Sequence, residues 1–516
     1  MSKQFVQNTF WVTVAFATNF LIGFFMSPYL FSRLGVVCYG FISLAGNLLV
    51  ITNLLTVSLN SMFGRFLAIE IHKNDHHQAK VLFNTVFFAN LILLLPLGIF
   101  LGGAFVFRNT IFDIPEAIAP MVANLFLMQI TAFMLTTAFN NFGSVFFVRN
   151  RLDIQNLQSI FNKIFYAALI LILFYFFPPS LTLIGVALLC PVLVDSSVKV
   201  ILFRKFMPEI KISLRFFKLK NLWSVLSSGA WNSVTLLARI CLFNLDVYFA
   251  NMFINPFAAG TMAIAKIIPL QMDSFNAAAS NIFNPTLTRK YAQNKYSSLK
   301  KQIIFAMHFH SFFLQIPALV FVVYGNVFFK LWVPQADSAT VHLLACFAIT
   351  PLFFSAPAAP LFSIQMVYNK LKVPALVLLA SSFLVVICEI ALLKFSDLKL
   401  LALAIPMAVI SPLRNLTFTV LYAAKLMQLP WHYFFVRLLL LIAKTLILLA
   451  LMLAFRYFYT PSGWISLIIA GTFCALLGWG AALYLYFDFS ERTVFRNIIS
   501  SIIGKVCRRQ LNSPNE

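Results

Sequence analysis

Long apolar runs separated by short polar loops constrain this chain more than any other feature of its sequence. Most of the runs exceed the roughly 20 residues that an α-helix needs to cross the hydrocarbon core of a bilayer. Across the chain, 61% of residues are hydrophobic and 10% are charged, whereas soluble domains average about 45–50% and about 25%. The pattern predicts a polytopic membrane protein and excludes a soluble enzyme, a nucleic-acid-binding module and a disordered scaffold.

The apolar runs predict fourteen spans. Inside hydrocarbon the backbone must satisfy its own hydrogen bonds, so a span is either a helix or part of a closed barrel. Barrel strands alternate in polarity over about 10 residues, whereas these runs are longer and continuous, so the expected fold class is all-α. The predicted spans are 7–31, 38–64, 81–107, 118–146, 156–177, 180–203, 223–247, 257–284, 301–326, 336–367, 374–394, 399–421, 433–459 and 463–488.

Basic residues predict the orientation of the spans. The chain has 38 Lys and Arg against 15 Asp and Glu, a formal net charge of +23, and most of these cations fall in one alternating set of loops. Cytoplasmic loops carry such an excess, so we expect both termini in the cytoplasm and need no nucleic-acid partner to explain the charge. The predicted cytoplasmic segments are 65–80, 147–155, 204–222, 285–300, 368–373, 422–432 and 489–516.

A repeat at a fixed offset organises the spans into two bundles. Residues 11–75 align with 231–295 without a gap, so that Trp11 meets Trp231 and Gly40 meets Gly260. Six spans per bundle is an even number, so the bundles share one orientation and are related by a pseudo-two-fold axis along the membrane normal. The predicted parts are a bundle at 1–203, a cytoplasmic amphipathic linker at 204–222, a bundle at 223–421, two added helices at 422–488 and a basic amphipathic tail at 489–516.

Four segments near the N-terminus form a recognisable pattern: the first span at 10–31, the start of the second span at 38–45, residues 64–70 and the polar loop 73–75. Together they resemble polysaccharide flippases of the O-antigen (Wzx-like) type. The arrangement of six, six and two spans extends the similarity over the whole chain. The resemblance implies a member of the multidrug/oligosaccharidyl-lipid/polysaccharide exporter superfamily, located in a bacterial inner membrane.

The substrate class also follows from this resemblance. Such proteins flip a polyprenyl-diphosphate-linked oligosaccharide from the cytoplasmic to the outer leaflet by alternating access. The implied partners are this anionic lipid-linked oligosaccharide, membrane lipids and other polysaccharide-assembly proteins. We expect no cofactor and no metal. Because the sequence has no P-loop, a proton or sodium gradient, or the concentration of substrate, would supply the energy.

Charged residues at membrane depth are candidates for function by default. Arg239 and Lys266 lie on adjacent predicted spans, each about 12–13 Å below the outer surface at 1.5 Å of rise per residue. Two cations at one depth repel unless an anion lies between them, and a diphosphate would supply that anion. Asp273 joins this predicted substrate-binding set. The alternative is structural pairing of Arg239 with Asp246 and of Lys266 with Asp273.

Three further residues complete the predicted substrate-binding set. Lys444 lies near the middle of span thirteen. We expect it either to contact the diphosphate end of the lipid or to pair with Glu389 of span eleven. Arg414 lies in the inner half of span twelve. Asn19 aligns with Arg239 in the repeat, and it either binds sugar hydroxyl groups or joins helices through hydrogen bonds.

Proline residues within spans predict hinges. Pro269 removes one backbone hydrogen bond and crowds the carbonyl group of Ala265, so span eight should kink there. A static bend is the alternative explanation. Pro357, in a span with two other proline residues, is the second hinge candidate.

The remaining intramembrane charges have structural explanations at this stage. Asp195 and Lys199 are one helical turn apart and should neutralise each other. Lys163 lies near the cytoplasmic face, where its side chain can reach the interface. The histidines of the first cytoplasmic loop indicate a solvated loop more than a metal site.

Two other functions compete with the flippase. A multidrug exporter of the same fold, driven by protons or sodium, would carry organic cations and would need carboxylates in its cavity, but span one has no Asp or Glu. A membrane glycosyltransferase or polymerase would need catalytic groups on sizeable outer loops, and the first outer loop is short. The sequence therefore favours a transporter over an enzyme.

Overall fold

The fold of the described residues is entirely helical. The computed structural model describes residues 3–493, and within that range it contains α-helices, short 3₁₀ and π segments and no strand. The predicted all-α fold class is confirmed. Most of the amphipathic tail predicted at 489–516 lies outside the described residues.

The helices follow one another with short connections. In chain order they are α1 Lys3–Asn60, α2 Phe63–His72, α3 His76–Val106, α4 Arg108–Ile111, α5 Ala119–Phe139, α6 Ser144–Val148, α7 Leu152–Phe176, α8 Leu181–Phe206, α9 Leu219–Phe243, α10 Leu245–Phe253, α11 Pro256–Ala265, α12 Ile267–Ala292, α13 Tyr296–His310, α14 Ile316–Trp332, α15 Ser338–Val367, α16 Lys372–Phe395, α17 Leu400–Arg414, α18 Val420–Leu426, α19 His432–Phe458 and α20 Trp464–Tyr486.

Each of the fourteen predicted spans coincides with helical structure. Within residues 3–493, eleven helical stretches are long and apolar enough to cross a membrane, and the pair Gly229–Phe243 and Leu245–Phe253, bent by 41°, makes a twelfth. The first of the eleven, Phe10–His72, is 63 residues long and contains two predicted spans. The remaining predicted span, the eighth, corresponds to α11 and α12, which are separated at Lys266.

The first two spans form a tight helical hairpin. Gly35 has φ 79°, in the left-handed region that glycine adopts without strain. The Tyr39 hydroxyl lies 3.3 Å from the Ser27 hydroxyl, although 12 residues of straight helix would separate them by about 18 Å. The chain therefore reverses at Gly35, inside the predicted short outer loop.

Repeat-equivalent loops share one backbone turn. After α2, Asn74 has φ 60° and the amide of Asp75 donates to the carbonyl of Glu70. After α12, the equivalent Asn294 has φ 56° and the amide of Lys295 donates to the carbonyl of Lys290. Asparagine tolerates the left-handed conformation that closes such helix ends. The same turn also closes the helices before Asn150, Asn369 and Gln428, so it is a general way of ending helices in this chain, and the repeat remains a prediction.

The residues divide into two units. Residues 3–264 and 375–406 form the first unit, and residues 265–374 and 407–493 form the second. In the first unit, α5 packs along α8, and α1 packs against α7 and α9. This grouping by proximity differs from the repeat-based bundles at 1–203 and 223–421, which remain a prediction about how the two halves of the chain correspond.

Repeat-equivalent glycines meet inside the first unit. A Cβ atom added to Gly40 would lie 2.8 Å from the backbone nitrogen of Gly260, and one added to Gly260 would clash with the carbonyl oxygen of Val36. Contact between equivalent positions is what a two-fold relation produces close to its axis. Only glycine permits the two backbones to approach this closely.

A buried polar cluster fastens the last two helices to the second unit. The Thr445 hydroxyl donates to Gln315 Oε1 at 2.8 Å and lies 2.8 Å from the Tyr486 hydroxyl. Gln315 also donates to the carbonyl of Phe353 at 2.7 Å. These bonds connect α19 and α20 to the π segment Ser311–Gln315 and to α15, so the added helices are integral parts of this unit.

Candidate functional site

A polar cavity lies in the first unit, at the end of the helices that carries the basic loops. Its volume is about 600 Å³, within the range typical of ligand sites. The eight amide and hydroxyl side chains that line it are Asn60, Ser61, Asn140, Ser144, Gln155, Gln158, Ser159 and Asn162. A cavity wall of this polarity among membrane helices requires a functional explanation.

Two helices are interrupted at the cavity wall. The chain leaves helical geometry at Ser61, between α1 and α2, and Ser61 lines the cavity. A 3₁₀ segment, Asn140–Gly143, separates α5 from α6, and it lines the same cavity. Irregular backbone among membrane helices is tolerated where it lines a cavity or is buried in protein, and both interruptions line this cavity.

An ion pair between two residues of α8 lines one side of the cavity. Lys199 Nζ lies 2.6 Å from Asp195 Oδ2, as the sequence spacing predicts. Asn162 donates to the other oxygen, Asp195 Oδ1, at 2.8 Å, and Gln158 donates to the Asp195 carbonyl at 3.1 Å. Both carboxylate oxygens therefore have donors, and the carboxylate is neutralised by Lys199.

Two more cations line the cavity. Arg65 is in the first turn of α2, and Lys163 extends from α7. Neither forms an ion pair with a carboxylate in residues 3–493. With Asp195 already neutralised, these two side chains give the cavity an excess of positive charge. The arrangement favours an anionic ligand.

Three lining side chains carry a buried oxygen without a hydrogen-bond partner in the described part of the chain. They are Ser144 Oγ, Gln158 Oε1 and Asn162 Oδ1. The nitrogen atoms of both amides donate to Asp195, so the orientation of the amides is fixed and their oxygens remain as acceptors. An unsatisfied buried polar group costs about 1–3 kcal/mol, and binding of a ligand is one explanation for such a group.

An amide chain leads from the cavity into the bundle. Asn90 donates to Asn60 Oδ1 at 2.9 Å and to Asn141 Oδ1 at 2.7 Å. Asn90 is fully buried, and Asn141 is 1% exposed. Because these bonds connect α1, α3 and the 3₁₀ segment, they hold the two interrupted helices in place beside the cavity.

The predicted residues Arg239 and Asn19 lie elsewhere in the first unit. Arg239 is exposed near the end of α9, one turn before the bend at Asn244, with its guanidinium carbon 5.2 Å from the centre of the Phe243 ring. Asn19 is half-buried and donates to the Ala15 carbonyl of its own helix at 2.8 Å. Neither residue lines the polar cavity.

The other predicted residues belong to the second unit. Lys266 is 5% exposed, at the break between α11 and α12. Asp273, Lys444 and Arg414 are half-buried, and Arg414 directly precedes the π segment Asn415–Thr419. Because Arg239 and Lys266 fall in different units, the joint site proposed for them remains a prediction.

The two predicted hinges differ in local structure. The helix is interrupted at Lys266, three residues before Pro269, which has no amide hydrogen to offer the carbonyl of Ala265. By contrast, α15 continues through Pro357 without interruption. A role in movement remains a prediction for both prolines.

The polar cavity was not predicted, because the sequence was read one charge at a time. The predicted Asp195–Lys199 pair is confirmed. Lys163, predicted near the cytoplasmic face, lines the cavity. The signal was present as a polar stripe at the start of α7, where Gln155, Gln158, Ser159 and Asn162 recur at helical spacing. A polar face on a membrane helix predicts a cavity or a buried polar contact.

The fold is shared with membrane transporters of known structure. An inward-facing multidrug resistance MATE family transporter of the MOP superfamily superposes with a TM-score of 0.63 at 13% identity, over 83% of this chain and 99% of that one. The lipid II flippase MurJ, in an inward closed conformation, superposes with a TM-score of 0.64 at 13% identity, over 92% of this chain and 98% of that one.

One curated relative matches almost end to end. The chain is 24% identical over 463 residues to the uncharacterized membrane protein EpsK of Bacillus subtilis (strain 168), covering 89% of this chain and 92% of EpsK. No protein-family model matches the chain.

Proposed function

We propose that this protein is a transporter that flips a polyprenyl-diphosphate-linked oligosaccharide across the membrane by alternating access, for cell-surface polysaccharide synthesis. The observation that carries the proposal is the shared fold with the lipid II flippase, which extends over 92% of this chain and 98% of that one. The substrate of that protein, named as lipid II, is itself lipid-linked. The proposal makes the chain a transporter and not an enzyme.

The electrostatics of the polar cavity support an anionic substrate. Arg65 and Lys163 add positive charge to a cavity in which Asp195 is already neutralised by Lys199. Forked and ammonium donors bind phosphate groups through charge-assisted hydrogen bonds. The exposed Arg239, close to a helix bend, would be a second contact for the substrate along its path.

The extent of the structural match also favours the lipid flippase. The MATE transporter covers 83% of this chain and the lipid II flippase covers 92%. The difference of 9% is about 46 residues, close to the combined length of two membrane helices at about 20 residues each. The helices α19 and α20, fastened by the Thr445 cluster, have this length.

A cation-coupled multidrug exporter is the second candidate, because the MATE transporter superposes with a similar TM-score of 0.63. Organic cations require unpaired carboxylates in the binding cavity. The polar cavity contains one carboxylate, Asp195, whose two oxygens already have donors. The flippase therefore fits the charges better.

The orientation and energy source belong to the same proposal. The basic loops, including those after α2 and α12, would face the cytoplasm of a bacterial cell, with both termini on that side. The polar cavity would then open at the level of the inner leaflet, where lipid-linked sugars are assembled. A proton or sodium gradient, or substrate concentration, would drive transport.

Complementation tests the proposed function. We expect expression of this chain in a strain that lacks its polysaccharide flippase to restore surface polymer. Restoration should depend on the amount of protein in the membrane, measured in the same cells. Increased resistance to cationic drugs without any restored polymer would instead identify a multidrug exporter.

A further inference from the structure

In the polar cavity, the carboxylate of Asp195 occupies the hydrogen-bond donors that an anionic ligand would use. Asp195 Oδ2 lies 2.6 Å from Lys199 Nζ, and Asp195 Oδ1 accepts a hydrogen bond from the Asn162 amide at 2.8 Å. These are the donors that a phosphate group would use in the same place. A carboxylate and a phosphate oxygen accept the same charge-assisted hydrogen bonds, so the two compete for Lys199.

Two further cations of the cavity supply donors for a second phosphate. Arg65 and Lys163 line the same cavity, and neither is paired with a carboxylate among residues 3–493. Arg65 extends from the first turn of the ten-residue helix α2, where the helix dipole adds positive potential. A ligand with two linked phosphates would contact these cations and Lys199 together.

The orphaned oxygens favour a ligand that also has hydroxyl groups. Gln158 Oε1 and Asn162 Oδ1 are buried acceptors, and their amide nitrogens are committed to Asp195. A phosphate offers these atoms no donor at neutral pH, but sugar hydroxyl groups do. If the phosphate displaces Asp195 Oδ1 from Asn162, the Asn162 amide can reorient toward the sugar, whereas Gln158 keeps its bond to the Asp195 backbone carbonyl.

We propose that this cavity binds the diphosphate and first sugar of the transported lipid, and that Asp195 acts as a built-in competitor for Lys199. The identity of the ligand rests on the proposed function; the binding of a diphosphate rests on the cavity itself. The competition weakens binding, so the ligand can leave the site again. Binding that is too tight would stop transport, because each cycle must release its substrate.

The first test uses inorganic diphosphate as the probe. Isothermal titration calorimetry with the full-length protein in detergent should show saturable binding that weakens as the salt concentration rises. The variant with both Arg65→Gln and Lys163→Gln should bind at least about tenfold more weakly. Lys394→Gln is the matched control, because Lys394 is an exposed cation of the same unit outside the cavity, and it should bind as the unchanged protein does.

The Asp195→Asn variant tests whether Asp195 competes with diphosphate for Lys199 or only stabilises the fold. Removing the competing carboxylate should strengthen diphosphate binding several-fold, whereas a purely structural role for the pair would weaken or abolish it. Asparagine has nearly the size of aspartate and keeps one acceptor for Asn162, and a thermal unfolding curve should be recorded for each variant. Lys199→Arg, which keeps the charge, should retain binding.

Three results would overturn the proposal. They are the absence of saturable diphosphate binding to the unchanged protein, equal losses in Lys394→Gln and in the cavity variant, and weaker binding by a folded Asp195→Asn protein. A fourth concerns the source of the phosphate: displacement of diphosphate by phosphatidylglycerol nanodiscs, but not by phosphatidylcholine nanodiscs, would assign the cavity to a bilayer lipid.

The same variants distinguish this inference from the proposed function. A protein that restores surface polymer but does not bind diphosphate contradicts the cavity assignment alone. A protein that binds diphosphate as expected but restores no polymer contradicts the transport proposal alone. When both hold, Asp195→Asn should bind more tightly and export more slowly.

Discussion

At the scale of single residues, Arg239 is the predicted substrate contact whose side chain is exposed. We expect Arg239→Ala to fold normally and to reduce polysaccharide export about tenfold or more, since a hydrogen bond to a charged group contributes about 1.5–3 kcal/mol. Arg239→Lys should recover part of the activity, because lysine keeps the charge but loses the forked geometry. Surface polysaccharide, normalised to membrane protein, is the measurement.

Controls for Arg239 follow from the same reasoning. Arg239→Glu should export less than Arg239→Ala, because it repels a phosphate, and Lys394→Ala should export normally. Lys266 is 5% exposed, so its variants require a stability measurement before export is interpreted. Normal export by a protein with both Arg239→Ala and Lys266→Ala would remove both residues from the substrate path.

Some residue-scale features were predictable from sequence and others were not. The Asp195–Lys199 pair followed from spacing alone, because helical geometry brings residues four apart together. The cavity around that pair did not, because it is assembled from five α-helices, α1, α2, α6, α7 and α8, and the 3₁₀ segment Asn140–Gly143. Asn19 shows the same limit, since its bond to Ala15 satisfies the amide locally and sequence does not distinguish this from a contact between helices.

At the scale of elements, the close backbone contact at Gly40 predicts how two glycine substitutions change the melting temperature. Gly40→Ala introduces a methyl group 2.8 Å from the backbone nitrogen of Gly260, whereas Gly46→Ala, in the same helix, meets nothing within 4 Å. We expect Gly40→Ala to lower the melting temperature and Gly46→Ala to preserve or raise it, because alanine favours helix over glycine by up to about 1 kcal/mol. Thermal unfolding in one detergent measures both; equal melting temperatures would contradict the close crossing.

The Thr445 cluster gives a second element-scale prediction. Hydrogen bonds between membrane helices contribute about 0.6 kcal/mol on average and at most about 1.7 kcal/mol. We expect Thr445→Val and Tyr486→Phe each to destabilise the protein within this range. The double variant should lose less than the sum of the two, since Thr445, Tyr486 and Gln315 share their bonds. Strict additivity in a double-mutant cycle would show that the three residues act independently.

The positions of the elements were largely predictable, and their interruptions were not. Hydropathy located α7 and α8 to within about four residues at each end, because burial in lipid requires a continuous apolar run. The predicted span at 118–146 covers α5, the 3₁₀ segment and part of α6 together. The breaks at Ser61 and at Asn140–Gly143 leave no comparable trace in hydropathy. They depend on tertiary contacts such as the amide chain through Asn90, which single-sequence patterns do not report.

At the scale of the whole molecule, the distribution of basic residues predicts one topology. Reporter fusions after Lys220, after Lys295 and at the C-terminus should all report the cytoplasm, because the loops at these positions carry the basic excess. A fusion at Lys330 or Lys399, which lie on the predicted outer side of the membrane, should report the periplasm. A periplasmic signal at Lys220 or Lys295 would overturn the fourteen-span arrangement and the placement of the cavity at the inner leaflet.

Direct translocation of a lipid-linked sugar tests the central claim of flippase activity. Purified protein in liposomes should move a fluorescent polyprenyl-diphosphate oligosaccharide from one leaflet to the other, measured by the access of a membrane-impermeant quencher. We expect faster transfer than in protein-free liposomes, and a rate close to the protein-free value for the variant with both Arg65→Gln and Lys163→Gln. Transfer by the unchanged protein no faster than in protein-free liposomes, under the same gradients of protons and sodium, would contradict the account.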